Sequence, residues 1–194
     1  MRELSEGAGQ GRRAGLQHSF GAFLLFAALA LAAAVCPPLP ASAAELPSPF
    51  AADGAKGRKA ADFMLKDVNG NMISLASYKG KVVLLNFWAT YCPPCREEIP
   101  DMNALSRKMK GKPFAILAVS TDRAAGEVKD FLKNTPVHFS VLLDNNSQVS
   151  RNLYKVFMIP TTFLIDKKGN IAKIYYGGQE WTEPAIMKEI QALL

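Results

Sequence analysis

The strongest hydrophobic pattern in the middle of the chain is the run Lys81-Val82-Val83-Leu84-Leu85-Asn86-Phe87-Trp88. A strand with one solvated face alternates apolar and polar residues, whereas a strand covered on both faces is apolar almost throughout. The run therefore predicts a central parallel strand with packing partners on both sides of a sheet.

Segments with helical periodicity and short apolar segments alternate downstream of this strand. The predicted helices cover residues 93–109, 125–133, 147–155 and 183–193. The predicted strands cover residues 114–120, 139–143, 161–166 and 171–176, the last two joined by the turn Lys168-Gly169-Asn170. Upstream, segments 63–66 and 72–75 flank Asn69-Gly70, a pair favoured in hairpin turns. This order predicts an α/β fold, a three-layer sandwich with a mixed central sheet and an N-terminal β-hairpin.

A different pattern marks the N-terminus. Arg12 and Arg13 precede an apolar run at residues 20–35, and the small residues Ala41-Ser42-Ala43 follow a proline-rich stretch. This order is typical of an export signal, and the apolar run is shorter than the roughly 20 residues that a spanning helix needs. We therefore expect a signal peptide at residues 1–43, cleaved after Ala43. The alternatives are a retained signal that tethers the protein to the membrane, or a lipid on Cys36, although Val35 fits a lipidation site poorly.

The segment after the signal has no apolar periodicity and is rich in Ala, Pro, Gly and Ser. Such composition predicts a flexible linker, which we place at residues 44–60. Residues 61–194 then form one domain, large enough to bury a core of its own.

Composition narrows the classes of function. With 49% hydrophobic and 21% charged residues the chain is an ordinary globular protein. The net charge is +6, but the lysines are separated in sequence by Asp, Glu and Gly, so we expect no nucleic-acid partner. The chain has three cysteines, too few for a disulfide scaffold or a structural zinc site, and we predict no metal and no cofactor.

Cys92 and Cys95 lie where the central strand meets the first long helix, in the segment Trp88-Ala89-Thr90-Tyr91-Cys92-Pro93-Pro94-Cys95. A disulfide across two residues closes a loop too short to stabilise a fold strongly, so the pair suits chemistry better than structure. At a helix N-terminus, free backbone N–H groups and the helix dipole favour the thiolate of Cys92. We therefore predict Cys92 as the nucleophile and Cys95, one turn further on, as the resolving thiol.

This segment resembles the active site of the thioredoxin superfamily, and the longer phrase from Asn86 to Pro100 resembles the exported TlpA/ResA-type branch. Three further features match. Pro100 lies five residues after Cys95, where the family has a helix-kinking proline, and Ile159-Pro160-Thr161 precedes a predicted strand. The resemblance implies a cis peptide bond at Pro160. The third feature is that Pro160 lies 65 positions after Cys95, which leaves space for the extra strand and helix of this branch.

The resemblance also implies a substrate-binding surface around the cysteines. We expect Pro93, Ile159, Pro160 and Thr161 to contact the substrate backbone. Trp88 and Tyr91, which flank the cysteines, are expected to form an apolar rim that excludes water and presents a docking surface. The alternative is that these two aromatic residues only pack at the end of the strand.

One residue departs from the thioredoxin pattern. Asn86 stands where that family has a buried Asp, and an amide cannot accept the proton of the resolving thiol. Glu98 is the candidate acceptor because it lies three residues after Cys95, on the same helix face, as in TlpA/ResA-type proteins. The alternative is that Glu97 and Glu98 only complement the helix N-terminus. Asn86 is expected to be a hydrogen-bonded core amide.

Together these features predict an exported thiol-disulfide oxidoreductase. The resemblance implies a monomeric periplasmic reductant of disulfides in exported proteins, such as cytochrome c apoproteins or copper-site thiols, recharged by a membrane thiol-electron donor. Three alternatives remain open at this point: a disulfide oxidase or isomerase, a copper chaperone using both thiols and His138, and a peroxiredoxin. The last is disfavoured because its Pro-x-x-x-Thr-x-x-Cys pattern is absent.

Overall fold

A seven-stranded mixed sheet forms the centre of the protein. The computed structural model describes residues 56–194. The predicted signal peptide, Cys36 and residues 44–55 of the predicted linker lie outside the described residues.

The strands and helices follow the hydrophobic pattern closely. The strands are β1 (Met64–Asp67), β2 (Met72–Ser74), β3 (Val82–Trp88), β4 (Phe114–Ser120), β5 (Ser140–Leu143), β6 (Thr161–Ile165) and β7 (Ile171–Tyr176). They lie in the sheet in the order β2-β1-β5-β4-β3-β6-β7. The α-helices are α1 (Pro93–Lys108), α2 (Ala125–Asn134) and α3 (Pro184–Ala192). A 3₁₀ helix covers Leu75–Tyr78 and a π-helical turn covers Gln148–Leu153. The short helix expected near residue 150 is this π turn, and the 3₁₀ helix was not predicted.

Strand β3 is the middle of the core. All seven of its residues are buried, and it pairs in parallel with β4 and antiparallel with β6. Val82 and Leu84 face helices α1 and α3, where they pack with Leu105 and Ile190. The intervening side chains pack on the opposite face with Tyr154 and Phe63. The sheet is thus covered on both faces, which confirms the predicted three-layer α/β sandwich.

Each side of the sheet holds one feature that local patterns do not reveal. Strand β1 of the N-terminal hairpin pairs antiparallel with β5, so the hairpin extends the main sheet. Within the predicted linker, Gly57 N–H donates to the carbonyl of Ile171 and Lys59 forms a β-bridge with Asn170. The described part of this segment is therefore bonded to the turn between β6 and β7.

Candidate active site

The two cysteines lie at the junction of β3 and α1, joined as a disulfide with a Cα–Cα distance of 5.3 Å. Cys92 is the N-cap residue of α1, and its sulfur accepts a hydrogen bond from the Cys95 N–H at 3.4 Å. Pro93 and Pro94 occupy the first turn, where a helix has no intrahelical use for an N–H. The sulfur of Cys92 therefore sits at the positive end of a 16-residue helix, where negative charge is stabilised.

The segment before β6 lies against the disulfide. The Ile159–Pro160 peptide bond is cis, as the resemblance implies, and the Cys92 sulfur is 3.8 Å from the Ile159 carbonyl oxygen. The Pro160 carbonyl accepts a hydrogen bond from Gly177 N–H at 2.9 Å, and the Thr161 hydroxyl donates to the Met158 carbonyl at 2.7 Å. Pro160 and Thr161 are buried, so Ile159 is the residue of this trio with a partly exposed side chain.

Of the two aromatic residues expected to form the apolar rim, only Tyr91 is exposed. Tyr91 is 70% exposed, but Trp88 is only 3% exposed and packs against Phe131. Trp88 is buried in one cluster with Cys92 and Cys95, so its side chain cannot present a docking surface. Phe157 and Met158, which the sequence analysis did not single out, are 62% and 50% exposed and line one groove together with Tyr91. These three side chains form the apolar rim.

The cysteines differ in exposure in the direction expected for their roles. Cys92 is 7% exposed and Cys95 is 1% exposed. Pro93, which directly follows Cys92, is exposed. A large substrate thus meets Cys92 before Cys95.

Glu98 is buried beneath this surface and accepts three hydrogen bonds. The donors are the Asn86 side-chain amide at 2.8 Å, the Trp181 indole N–H at 3.1 Å and the Gln179 backbone N–H at 3.2 Å. Burial raises the pKa of Glu98 to about 7, although each hydrogen bond by itself favours the ionised form. The carboxyl group therefore exchanges its proton near neutral pH.

Asn86 holds this carboxylate from the neighbouring strand. Its amide also donates to the Thr162 hydroxyl at 2.9 Å, so it bridges β3, α1 and β6. This is the hydrogen-bonded core amide that the sequence predicts.

The loop after β7 supplies partners of Glu98 that sequence reasoning missed. Asp101 of α1 accepts hydrogen bonds from the Thr182 N–H at 2.8 Å and the Thr182 hydroxyl at 2.6 Å. This contact fixes the loop that carries Gln179 and Trp181. Gly178 of the same loop approaches Pro94 so closely that a Cβ at this position would lie 3.3 Å from the Pro94 carbonyl oxygen.

A second carboxylate holds the segment before Cys92. Asp122, fully buried, accepts hydrogen bonds from the Thr90 N–H, the Thr90 hydroxyl and the Ser120 hydroxyl. Sequence reasoning did not identify this contact. The loop is thereby fixed to the end of β4.

His138 is not part of this site. It lines a cleft with Arg107 and Lys110, close to the far end of α1. Among residues 56–194 no group of three or more His, Cys, Asp or Glu side chains could hold a metal ion. The copper-binding arrangement of both thiols with His138 is therefore not formed in this part of the chain.

The comparisons with known proteins agree with this site. The sequence profile of the AhpC/TSA family matches residues 56–174. The thiol-disulfide oxidoreductase ResA of Bacillus subtilis is 40% identical over 122 residues, 63% of this chain and 68% of ResA. The protein of the same name from Geobacillus kaustophilus is 42% identical over 123 residues, 63% of this chain and 70% of that one.

Solved structures show the same relationship. A Chlorobium tepidum protein assigned as thiol:disulfide interchange protein DsbE superimposes with a TM-score of 0.67 and 38% identity, covering 71% of this chain and 96% of that one. StoA of Bacillus subtilis superimposes with a TM-score of 0.55 and 30% identity, covering 64% of this chain and 98% of StoA. The chain belongs to the AhpC/TSA family, has a thioredoxin-like fold and is a thiol-disulfide oxidoreductase.

Proposed function

We propose that this oxidoreductase acts outside the cytoplasm as a reductant of disulfides in exported proteins, using Cys92 and Cys95. The observation that carries the proposal is the position of the Cys92 sulfur, at the N-terminus of α1 and 3.8 Å from the Ile159 carbonyl. This position supports both thiolate formation and the approach of an extended substrate segment.

The proposed reaction has two exchange steps. In the reduced protein the Cys92 thiolate attacks one sulfur of a substrate disulfide, forming a mixed disulfide and releasing the first substrate thiolate. The Cys95 thiol then loses its proton and attacks the Cys92 sulfur. The Cys92–Cys95 disulfide forms, the second substrate thiolate leaves, and two electrons have passed to the substrate.

Glu98 is proposed to accept the proton of Cys95. Both residues are buried in α1, three positions apart, which places them on neighbouring turns of one helix face. A pKa of about 7 leaves a substantial fraction of the carboxyl group ionised at neutral pH, so it can take up a proton and release it again.

The substrate is proposed to dock on the exposed surface around Cys92. Tyr91, Phe157, Met158 and Ile159 line one groove, and the exposed Pro93 directly follows Cys92 in the chain. Trp88, Pro160 and Thr161 are buried and are proposed to support this surface from below.

The proposal also covers where the protein acts and which partners it exchanges electrons with. The N-terminal sequence supports export with a signal at residues 1–43, cleaved after Ala43 or retained as a tether. The proposed substrates are disulfides in exported proteins of the cytochrome c or copper-site type, and the proposed electron source is a membrane thiol-electron donor. The protein is proposed to act as a monomer. No helix within residues 56–194 has the length and apolar character needed to cross a bilayer.

The test is insulin reduction together with the equilibrium potential against glutathione. We expect C92S to abolish turnover and C95S to accumulate a mixed disulfide. In the uncleaved full chain, C36S is the matched control at the third cysteine and should retain wild-type activity. The potential of a reductant should lie below about −200 mV. Full activity of C92S would refute the role of Cys92, and a potential near that of a strong oxidant, about −120 mV, would refute the direction of electron flow.

A further inference from the structure

Basic side chains that are dispersed in the sequence converge at the end of the domain opposite the disulfide. The first group is Lys56, Arg58 and Lys59, all exposed, in the segment that leads into the domain. Backbone hydrogen bonds from Gly57 and Ala60 fix this segment against the turn between β6 and β7. Because the basic residues are far apart in the chain, their spacing does not predict this clustering.

The second group comes from two neighbouring turns. Lys79 and Lys81 precede β3, and Lys167 and Lys168 follow β6. Gly80 N–H donates to the Lys167 carbonyl at 3.0 Å, so the two turns touch. The Lys59 ammonium also donates to the Lys168 carbonyl, which joins this group to the first.

The third group lies at the C-terminal end of α1. Arg107 and Lys108 end the helix, and Lys110 and Lys112 follow it. The Val82 N–H donates to the Pro113 carbonyl at 2.8 Å, which places this segment beside the start of β3. We call the three groups together the basic pole.

Few acidic groups balance this charge. Asp62 and Asp166 lie in the cleft that Lys59, Lys79, Lys81 and Lys168 line. Both carboxylates already accept hydrogen bonds from backbone N–H groups, of Ala76 and Asn170 respectively. In the loops and helix start around Cys92, exposed acidic and basic side chains occur in similar numbers. The excess of basic over acidic side chains is therefore concentrated at the basic pole.

The two clefts of the basic pole are also lined by apolar side chains. One cleft has Leu75, Val83 and Ile165 beneath its lysines. The other has Met109, Phe114 and Ile116 beneath Arg107, Lys110 and Lys112. Lysine and arginine heads above apolar surface suit the boundary between lipid headgroups and water.

We propose that the basic pole docks on an anionic lipid membrane, with the active site facing away from the bilayer. Clustered basic residues are attracted to anionic lipid headgroups. The apolar run at residues 20–35 predicts export, and an exported protein meets membranes rather than nucleic acids, which favours a membrane as the polyanion. The seven residues of β3 separate the pole from the loop before Cys92 by about 20 Å, so the disulfide stays accessible to substrates. The proposal does not depend on the direction of electron flow.

The test measures the binding of residues 45–194 to lipid vesicles by sedimentation. These residues form one compact unit, and the Chlorobium tepidum structure, 96% of which aligns with this chain, shows that such a domain folds on its own. We expect at least about tenfold stronger binding to vesicles containing phosphatidylglycerol than to phosphatidylcholine vesicles, with release at high salt.

A matched pair of variants assigns the binding to the pole. The triple variant K79E/K81E/K168E should lose at least about tenfold in binding to phosphatidylglycerol vesicles. The control K66E/K129E/K188E makes the same change in net charge at exposed lysines outside the pole and should lose much less. Insulin reduction by both variants should match the wild type, which shows that they fold and separates this test from that of the proposed function.

Three outcomes would overturn the proposal. The first is equal binding to both kinds of vesicle, and the second is an equal loss in both triple variants. The third is stronger binding to duplex DNA than to phosphatidylglycerol vesicles at the same salt concentration, which would assign the pole to a nucleic acid.

Discussion

Glu98 shows how opposing effects set the chemistry of one side chain. Three hydrogen-bond donors surround its carboxylate, and each of these bonds by itself lowers the pKa of the carboxyl group. Only 4% of the residue is exposed, and the loss of hydration outweighs the three bonds. A buried carboxyl group that titrates near pH 7 is the result.

The variant E98Q tests this balance through stability. Between the unfolded value of 4.5 and the folded pKa of about 7, only the folded protein binds the proton of Glu98. Below pH 4.5 this proton makes its full contribution of about 3 kcal/mol to the free energy of unfolding. The contribution is lost as the pH rises through 7. We expect urea unfolding of E98Q to lack this fall.

The neighbouring variant E97Q is the matched control. Glu97 is exposed, so its replacement should leave the pH dependence of stability as in the wild type. An E98Q protein whose stability falls with pH as steeply as that of the wild type would contradict the assignment of the raised pKa to Glu98.

Helix α1 organises the site as an element. Its N-terminus carries Cys92, its first turns bury Cys95 and Glu98, and Asp101 fixes the loop after β7. The same helix reaches the basic pole at its other end. One element thus connects the thiols, the proton acceptor and the loop that excludes water from that acceptor.

The variant D101A tests the control of the loop by the helix. Loss of both hydrogen bonds to Thr182 should lower the free energy of unfolding by about 1 to 3 kcal/mol. The loosened loop should admit water to Glu98, so the pKa of Glu98 should fall toward its ordinary value and the stability change between pH 5 and 8 should shrink. Urea unfolding over this pH range measures both effects.

The control for this loop variant is D130A, which removes an exposed ion pair with Lys133 on α2. Exposed pairs contribute little, so the change should stay within about 0.5 kcal/mol. A D101A protein no less stable than D130A would show that the loop is held by other contacts.

The elements could be predicted from the sequence because each has a local pattern. The apolar run before Trp88 indicates β3, and Cys92-Pro93-Pro94 indicates the start of α1. Contacts between distant segments leave no such pattern. The pairing of β1 with β5, the bridge between Lys59 and Asn170, and the bond from Trp181 to Glu98 each join segments far apart in the chain.

The residues of the candidate site that lie close together in the chain could also be predicted from the sequence. Cys92, Cys95 and Glu98 stand close together in sequence, and the fold brings Ile159 and Pro160 to them. The burial of Trp88 agrees with the apolar run that predicts β3 as a strand covered on both faces. The exposure of Phe157 and Met158 could not be predicted, because it depends on how the segment after the π turn leaves the core.

At the scale of the whole molecule, the redox state should change the stability of the fold. The disulfide closes a very short loop, which corresponds to a stabilisation of about 2 kcal/mol. For a reductant, the oxidised form is the more stable one, whereas a strong oxidant is more stable when reduced. We therefore expect the oxidised protein to unfold at a higher urea concentration than the reduced protein.

The double variant C92S/C95S is the control for this comparison, since a reducing agent should not change its unfolding. If the reduced wild-type protein were the more stable form, the protein would be an oxidant and the proposed direction of electron flow would be wrong.

The chain contains two tryptophans, and the fold places them beside different parts of the chemistry. Trp88 packs in one cluster with Cys92 and Cys95, and the indole of Trp181 donates to the carboxylate of Glu98. Intrinsic fluorescence can therefore follow the reaction without a label. In a variant that retains only Trp88 the emission should respond to the state of the sulfurs, and in one that retains only Trp181 it should respond to the proton on Glu98.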